Sequence, residues 1–180
     1  MRRSKTINRE VGPAFVRTKD GLLIPKHASA IVMLPELSAI HTRRRRGIIV
    51  KDDLGVIARK SITTAGVNYL ATAFTGTGEP ENFNYHASGT GAAAENITDT
   101  ALGTEVEAAR VAGTQSNPSA NIYRTVATIN YTATRAITEH GVFSASTTGT
   151  LWDRSVFTAV NVVNGDSIQF TYNLTISAGG

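Results

Sequence analysis

The sequence predicts an all-β fold: an antiparallel β-sandwich, with a jelly roll among the arrangements allowed, one or two short helices and an extended N-terminal arm. Three observations predict it. Near the C-terminus Ile168, Phe170, Tyr172, Leu174 and Ile176 interleave with Gln169, Thr171, Asn173 and Thr175, so one face is apolar and the other carries hydroxyls and amides. Half-buried antiparallel strands are written with that period of two. Charged residues make up only 18% of the chain while Gly, Thr and Ala abound, a composition that suits strands better than a helical bundle. The charge is also divided: residues 1–60 hold 14 Lys and Arg against 5 Asp and Glu, and residues 61–180 hold 4 against 9. A basic arm over 1–60 and a mildly acidic β-body over 61–180 follow from that split.

In the arm, Pro13, Pro25 and Pro35 forbid a long helix. Lys19-Asp20-Gly21 lies between Ala14-Phe15-Val16 and Leu22-Leu23-Ile24 and reads as a turn. Ile31-Val32-Met33-Leu34 is an apolar run closed by Pro35, and Arg43, Arg44, Arg45 and Arg46 form an uninterrupted tetrad. Gly47 to Val50 and Val56 to Ala58 then flank Lys51-Asp52-Asp53-Leu54-Gly55, which reads as a second hairpin. Pieces this short bury one another poorly, so the arm is expected to gain order from a partner surface.

In the body, Thr64 is placed to cap a helix carrying Val67, Leu70, Ala71 and Phe74 on one stripe, ended by Gly76 to Pro80. Phe83 to Ala87 reads as a strand, Asp99 as the cap of a second helix through Leu102, Val106 and Ala109, and Ala112 to Asn121 as a loop. Tyr123, Ala127, Ile129, Tyr131 and Ala133 alternate with polar residues, and Ile137–Phe143 and Leu151–Phe157 are further strands. Asn164-Gly165 is the strongest hairpin signal in the chain.

Motifs that would carry catalysis are weak. Gly89-Thr90-Gly91-Ala92-Ala93-Ala94 fits G-x-G-x-x-A, but a dinucleotide site needs a following helix, and Asn96 to Thr100 interrupts one. His27, His41, His86 and His140 show no metal-ligand spacing, and Glu139 and His140 would face opposite sides of a strand. There is no Cys, hence no disulfide or thiolate chemistry. No P-loop, EF-hand, G-x-S-x-G or H-E-x-x-H string occurs. The expectation is a non-enzyme without cofactor or metal. Neither a signal peptide nor a membrane span is indicated, which points to the cytosol and away from a membrane.

Arg43 to Arg46 can be read in three ways. Guanidinium forks can grip carboxylates of another protein, neutralise phosphates with salt-sensitive affinity, or simply stay solvated. No aromatic residue is interleaved to stack on bases, so protein docking is favoured over nucleic acid.

Ala87-Ser88-Gly89-Thr90-Gly91, followed by Asp99-Thr100-Ala101-Leu102-Gly103-Thr104-Glu105, resembles text of tailed-bacteriophage virion structural proteins. Ala136 to Phe143, Gly149 to Arg154 and Gly165 to Tyr172 extend that resemblance over roughly residues 61–180. The resemblance implies a β-sandwich module of capsid decoration (cement) or neck and tail proteins, located in the virion and assembled in the host cytoplasm. A decoration protein would form a homo-oligomer and lay its arm across neighbouring major capsid protein subunits. Arg43, Arg44, Arg45 and Arg46 would then meet acidic capsid loops, while Phe15, Leu22, Leu23, Ile24, Ile31, Val32, Met33 and Leu34 would fill apolar grooves. The alternative is a neck, tail or fibre-attachment component docking to the connector or tail. A glycan-binding fibre would instead need exposed aromatics, and Trp152, the one Trp, is expected near the core.

Overall fold

A computed structural model describes residues 15–17, 23–25, 30–59, 62–75 and 82–179. The chain divides into two compact units, residues 1–32 with 177–180 and residues 33–176. In the first, β1 (Phe15–Arg17) and β2 (Leu23–Pro25) pair antiparallel, with Val16 opposite Ile24. Leu22 and the Lys19-Asp20-Gly21 turn lie outside the described residues.

The second unit is an all-β antiparallel sandwich with one helix. Its strands are β3 (Ala30–Arg45, which begins in the first unit), β4 (Ile48–Ala58), β5 (Tyr85–Gly89), β6 (Glu105–Ala112), β7 (Thr114–Ser119), β8 (Ile122–Asn130), β9 (Arg135–Phe143), β10 (Leu151–Val162) and β11 (Ser167–Gly179, which ends in the first unit). One sheet runs β4-β3-β11-β8-β7 and the other β10-β9-β5-β6. The alternation in β11 does what its period demands: Ile168, Phe170, Tyr172 and Leu174 are buried, with Phe170 opposite Ala127 and Tyr172 opposite Thr125. Across the sandwich they join Ile137, Val142, Trp152 and Val162 in one core. Each such large apolar side chain stabilises the fold by roughly 1.5–3 kcal/mol.

The four-stranded sheet is covered on its second face as well. The 90–104 segment brings Leu102 onto Ala87, Phe143 and Leu151, a smaller second core. Burial on both faces explains why Glu139 and His140, neighbours on β9 with opposite directions, are both fully buried.

Several elements differ from the sequence reading, each for a local reason. The 1–60 stretch is not wholly an arm: β3 lies beside β11, and Leu37 and Ala39 are core residues. Met33, Pro35, Leu37, Ala39 and His41 alternate inward, a period-two pattern overlain by the charge count. The hairpin turn is Arg46-Gly47, while Lys51 to Gly55 lies within β4. There, Ala39 pairs Gly55 and Ile40 pairs Asp53, so Leu54 is an extra residue and the Asp-Leu-Gly text encodes a bulge.

Helix α1 (Thr64–Ala73) is capped by Thr63, whose Oγ accepts the Gly66 N–H at 3.1 Å and donates to the Leu151 carbonyl at 2.6 Å. Its buried face runs one residue earlier than the stripe read from sequence. Gly66 lies under Trp152, where a Cβ would come within 2.8 Å of the ring, while Val67 and Phe74 are exposed. Asp99 starts no helix; Val106 and Ala109 belong to β6. The loop read over 112–121 contains β7, an exposed edge strand paired with β8. Asn164-Gly165 turns the chain from one sheet to the other, since β10 and β11 lie in different sheets.

Candidate docking surface

The β3–β4 hairpin is built around its turn. Arg46 and Gly47 have φ of 49° and 79°, the left-handed pair that a two-residue hairpin turn requires and that glycine adopts without a Cβ clash. The register places Arg45 opposite Ile48, Arg44 opposite Ile49 and Arg43 opposite Val50. Odd-numbered residues of β3 therefore share one face, and the tetrad separates into two pairs of unlike surroundings.

Arg43 and Arg45 are engaged within the chain. Arg43 Nη2 lies 2.5 Å from Asp52 Oδ2 on β4. Arg45 grips Asp166 with both terminal nitrogens, at 2.6 and 3.0 Å. Asp166 also accepts the backbone N–H groups of Val163 at 3.0 Å and Arg44 at 3.2 Å. The Arg45 guanidinium, and then those two N–H groups, hold the Asp166 carboxyl well below the usual range even though its burial acts the other way. His41 Nε2 stands 3.6 Å from Asp166 Oδ2, beyond a normal hydrogen bond. Asp166 closes the β10–β11 corner by donating its N–H to the Val163 carbonyl, so the turn end of the hairpin is tied to a sheet corner more than 120 positions away. No spacing rule in the sequence announces that contact.

Arg44 and Arg46 are exposed. So are apolar residues on both sides of β4: Ile48 is 66% and Ile49 55% accessible, and Val50, Leu54 and Val56 are also exposed. Neighbouring strand residues face opposite ways, so exposed apolar side chains lie on both faces of the ribbon near its tip.

The other residues read as docking groups are dispersed. Ile31 and Leu34 are exposed, and Val32 is half-buried. Met33 is half-buried, packs against the main core and starts the inward alternation of β3. Phe15, Leu23 and Ile24 fall in β1 and β2, with side chains outside the described residues.

Several buried polar groups of the sandwich bond one another. Glu139 accepts the N–H groups of Thr104 at 2.7 Å and of Gly103 and Gly91 at 2.9 Å, and Arg154 Nε at 2.9 Å. Arg154 bridges on to Asp99 Oδ2 at 2.9 Å and to the Ala93 carbonyl at 3.2 Å. Burial acts to raise the Glu139 carboxyl, and those N–H donors with Arg154 outweigh it and hold it below its ordinary value. The G-x-G-x-x-A text is thus a clasp. A Cβ on Gly91 would meet the Glu139 carboxylate, so the glycine lets the 90–104 segment close over β9.

His86 Nδ1 lies 3.0 Å from His140 Nε2, and His86 Nε2 lies 3.0 Å from Thr125 Oγ1. Burial lowers His86 to about 3 and lowers His140 well below its ordinary value, the latter also by the neighbouring His86. Asp153 is buried with Oδ1 held by the Ser155 hydroxyl at 2.9 Å and Oδ2 without a hydrogen-bond partner, and burial raises it to about 7. Trp152 donates its indole N–H to Tyr172 Oη at 2.9 Å inside the core.

Among the described residues no group of three or more His, Asp or Glu is arranged to hold a metal ion, and no helix is long and apolar enough to cross a membrane. Comparisons with protein-family models, curated proteins and solved structures found no match.

Proposed function

We propose that this chain is a non-enzymatic structural protein of a tailed-phage virion, acting as a capsid decoration (cement) protein that clamps neighbouring major capsid subunits. The β3–β4 ribbon carries the reading. Its tip presents Ile48, Ile49 and Val50 beside the exposed Arg44 and Arg46, a surface that removes apolar area from water only against another molecule. The arginines suit acidic loops on that partner, where planar guanidinium forks form paired bonds. Arg43 and Arg45 take a different part: Arg43 ties β3 to Asp52 on β4 and Arg45 ties the ribbon to Asp166, so less order has to be gained on docking. The resemblance in residues 87–91, 99–105, 136–143, 149–154 and 165–172 supports the phage assignment.

Cryo-electron microscopy of particles assembled with and without the chain tests this. Expected is extra density across boundaries between capsid subunits, lost when the chain carries Arg46→Glu with Ile49→Asp. Density at the neck or tail would move the reading to a connector or tail component. Particles that contain none of the protein would overturn the virion assignment.

A further inference from the structure

Among the described residues β4 is the outer strand of its sheet. The Arg46-Gly47 turn, with Arg45 opposite Ile48, makes those two the closing hydrogen-bonded pair of the hairpin. Hydrogen-bonded pairs then recur at every second position, Arg43 with Val50 and His41 with Asp52. The backbone N–H and C=O groups of Ile49, Lys51 and Asp53 consequently point away from β3, toward the open edge. An edge of this kind is a template for another strand unless something opposes pairing. Lys51 and Asp53, both exposed, oppose most partners. They do not oppose this same strand run in reverse.

We propose that two copies of the chain associate through antiparallel pairing of β4 with β4, about a two-fold axis at Asp52. In a continuous antiparallel sheet the axis stands perpendicular to the sheet and passes beside a residue that faces its own copy, an isologous contact. An axis at Lys51 would set Lys51 against Lys51, and one at Asp53 would set Asp53 against Asp53. An axis at Asp52 sets Lys51 of each copy against Asp53 of the other, twice. Both positions point their backbone groups outward, so each forms a hydrogen-bonded pair with its opposite. Asp52 meets Asp52 at the axis, and each is already paired with Arg43 of its own chain at 2.5 Å, which offsets the like charges. The Leu54 bulge ends the flat stretch on one side and the turn ends it on the other, so the matched segment is short and its register is set by charge. The association does not depend on what the ribbon tip docks to.

The full chain is tested by sedimentation over a concentration series. Expected is a monomer–dimer equilibrium whose dimer Kd rises about tenfold or more in Lys51→Glu, where two attractive pairs become repulsive. Asp53→Lys weakens it likewise, and K51E with D53K together restores dimerisation. Since Asp53 Oδ1 also accepts the Gly55 N–H at 2.8 Å, a far-ultraviolet spectrum of each variant checks that the strand persists. The chain has no native Cys, so Asp52→Cys gives a second readout. Opposed residues in a non-hydrogen-bonded pair lie about 4.5 Å apart, within disulfide reach, and mild oxidation should join two copies through position 52. Lys51→Cys should not join at a comparable rate. A wild-type monomer at concentrations on the order of 100 μM overturns the proposal. So does a dimer that ignores both charge reversals and whose Asp52→Cys variant stays unjoined on oxidation.

Discussion

Arg45 and Asp166 form a two-pronged ion pair, at 2.6 and 3.0 Å, that fastens the basic hairpin to the corner between β10 and β11. The carboxylate is fully buried and the guanidinium about half exposed. That asymmetry assigns the roles: Asp166 organises the corner, and Arg45 is the replaceable partner.

Asp166→Ala should therefore lower the thermal midpoint, because the N–H groups of Arg44 and Val163 lose their acceptor together with Arg45. Arg45→Ala should leave the midpoint nearer the wild-type value, since water can replace a half-exposed guanidinium. Both should speed amide hydrogen exchange along residues 43–50. Equal loss of midpoint in the two variants would contradict the division of roles.

The His86–His140 pair predicts sensitivity to acid. Both imidazoles have depressed values in the folded state, so the unfolded chain binds more protons below about pH 6.5. Stability is then present above that pH and declines as pH falls, by up to about 1.4 kcal/mol per pH unit for each histidine. Urea midpoints measured from pH 7 to pH 4 should fall, and His86→Gln should flatten the slope. Asp166 adds a loss of the same sign only below about pH 4, because its carboxyl is held down in the folded state.

Asp153 works in the opposite direction. Its folded value near 7 lies above the ordinary carboxylate range, so its contribution is complete below about pH 4 and is lost as pH rises through 7. Asp153→Asn keeps the shape and removes the titration. The variant should gain on wild type by about 4 kcal/mol between pH 4 and pH 8. Denaturant curves at those two pH values check it.

Tyr172 and Phe170 test the core. Phe170→Ala should cost roughly 3–5 kcal/mol, since the ring is fully buried against His140 at 4.4 Å between centroids. Tyr172→Phe removes only the acceptor of the Trp152 N–H and should cost about 1–3 kcal/mol. Equilibrium unfolding with intrinsic Trp fluorescence reads both.

Strand periodicity was legible wherever one face of a strand is wet. β8 and β11 show it, as Thr125, Ala127 and Ile129 or Ile168, Phe170, Tyr172 and Leu174 alternate with less buried neighbours. It was less legible in β3, where inward His41, Arg43 and Arg45 replace apolar residues and the carboxylates that Arg43 and Arg45 meet lie on β4 and at the sheet corner. Turn chemistry was legible as turning, not as destination. Asn164-Gly165 does reverse the chain, but whether it joins strands of one sheet or of two depends on what lies beside it. The docking residues divide the same way: the Arg tetrad was visible, and its separation into two anchored and two exposed side chains was not.

By itself the sequence determined an antiparallel β-sandwich, a main core on the β11 alternation, and a basic segment with short apolar runs. These follow from local periodicity and composition, which act along the chain. Tertiary structure alone decided that part of the basic segment belongs to the sheet, that Glu139 and Arg154 clasp a loop, and that Arg45 meets Asp166. Ion pairs and sheet neighbours join residues far apart in the chain, and their partners are chosen by burial and geometry in three dimensions.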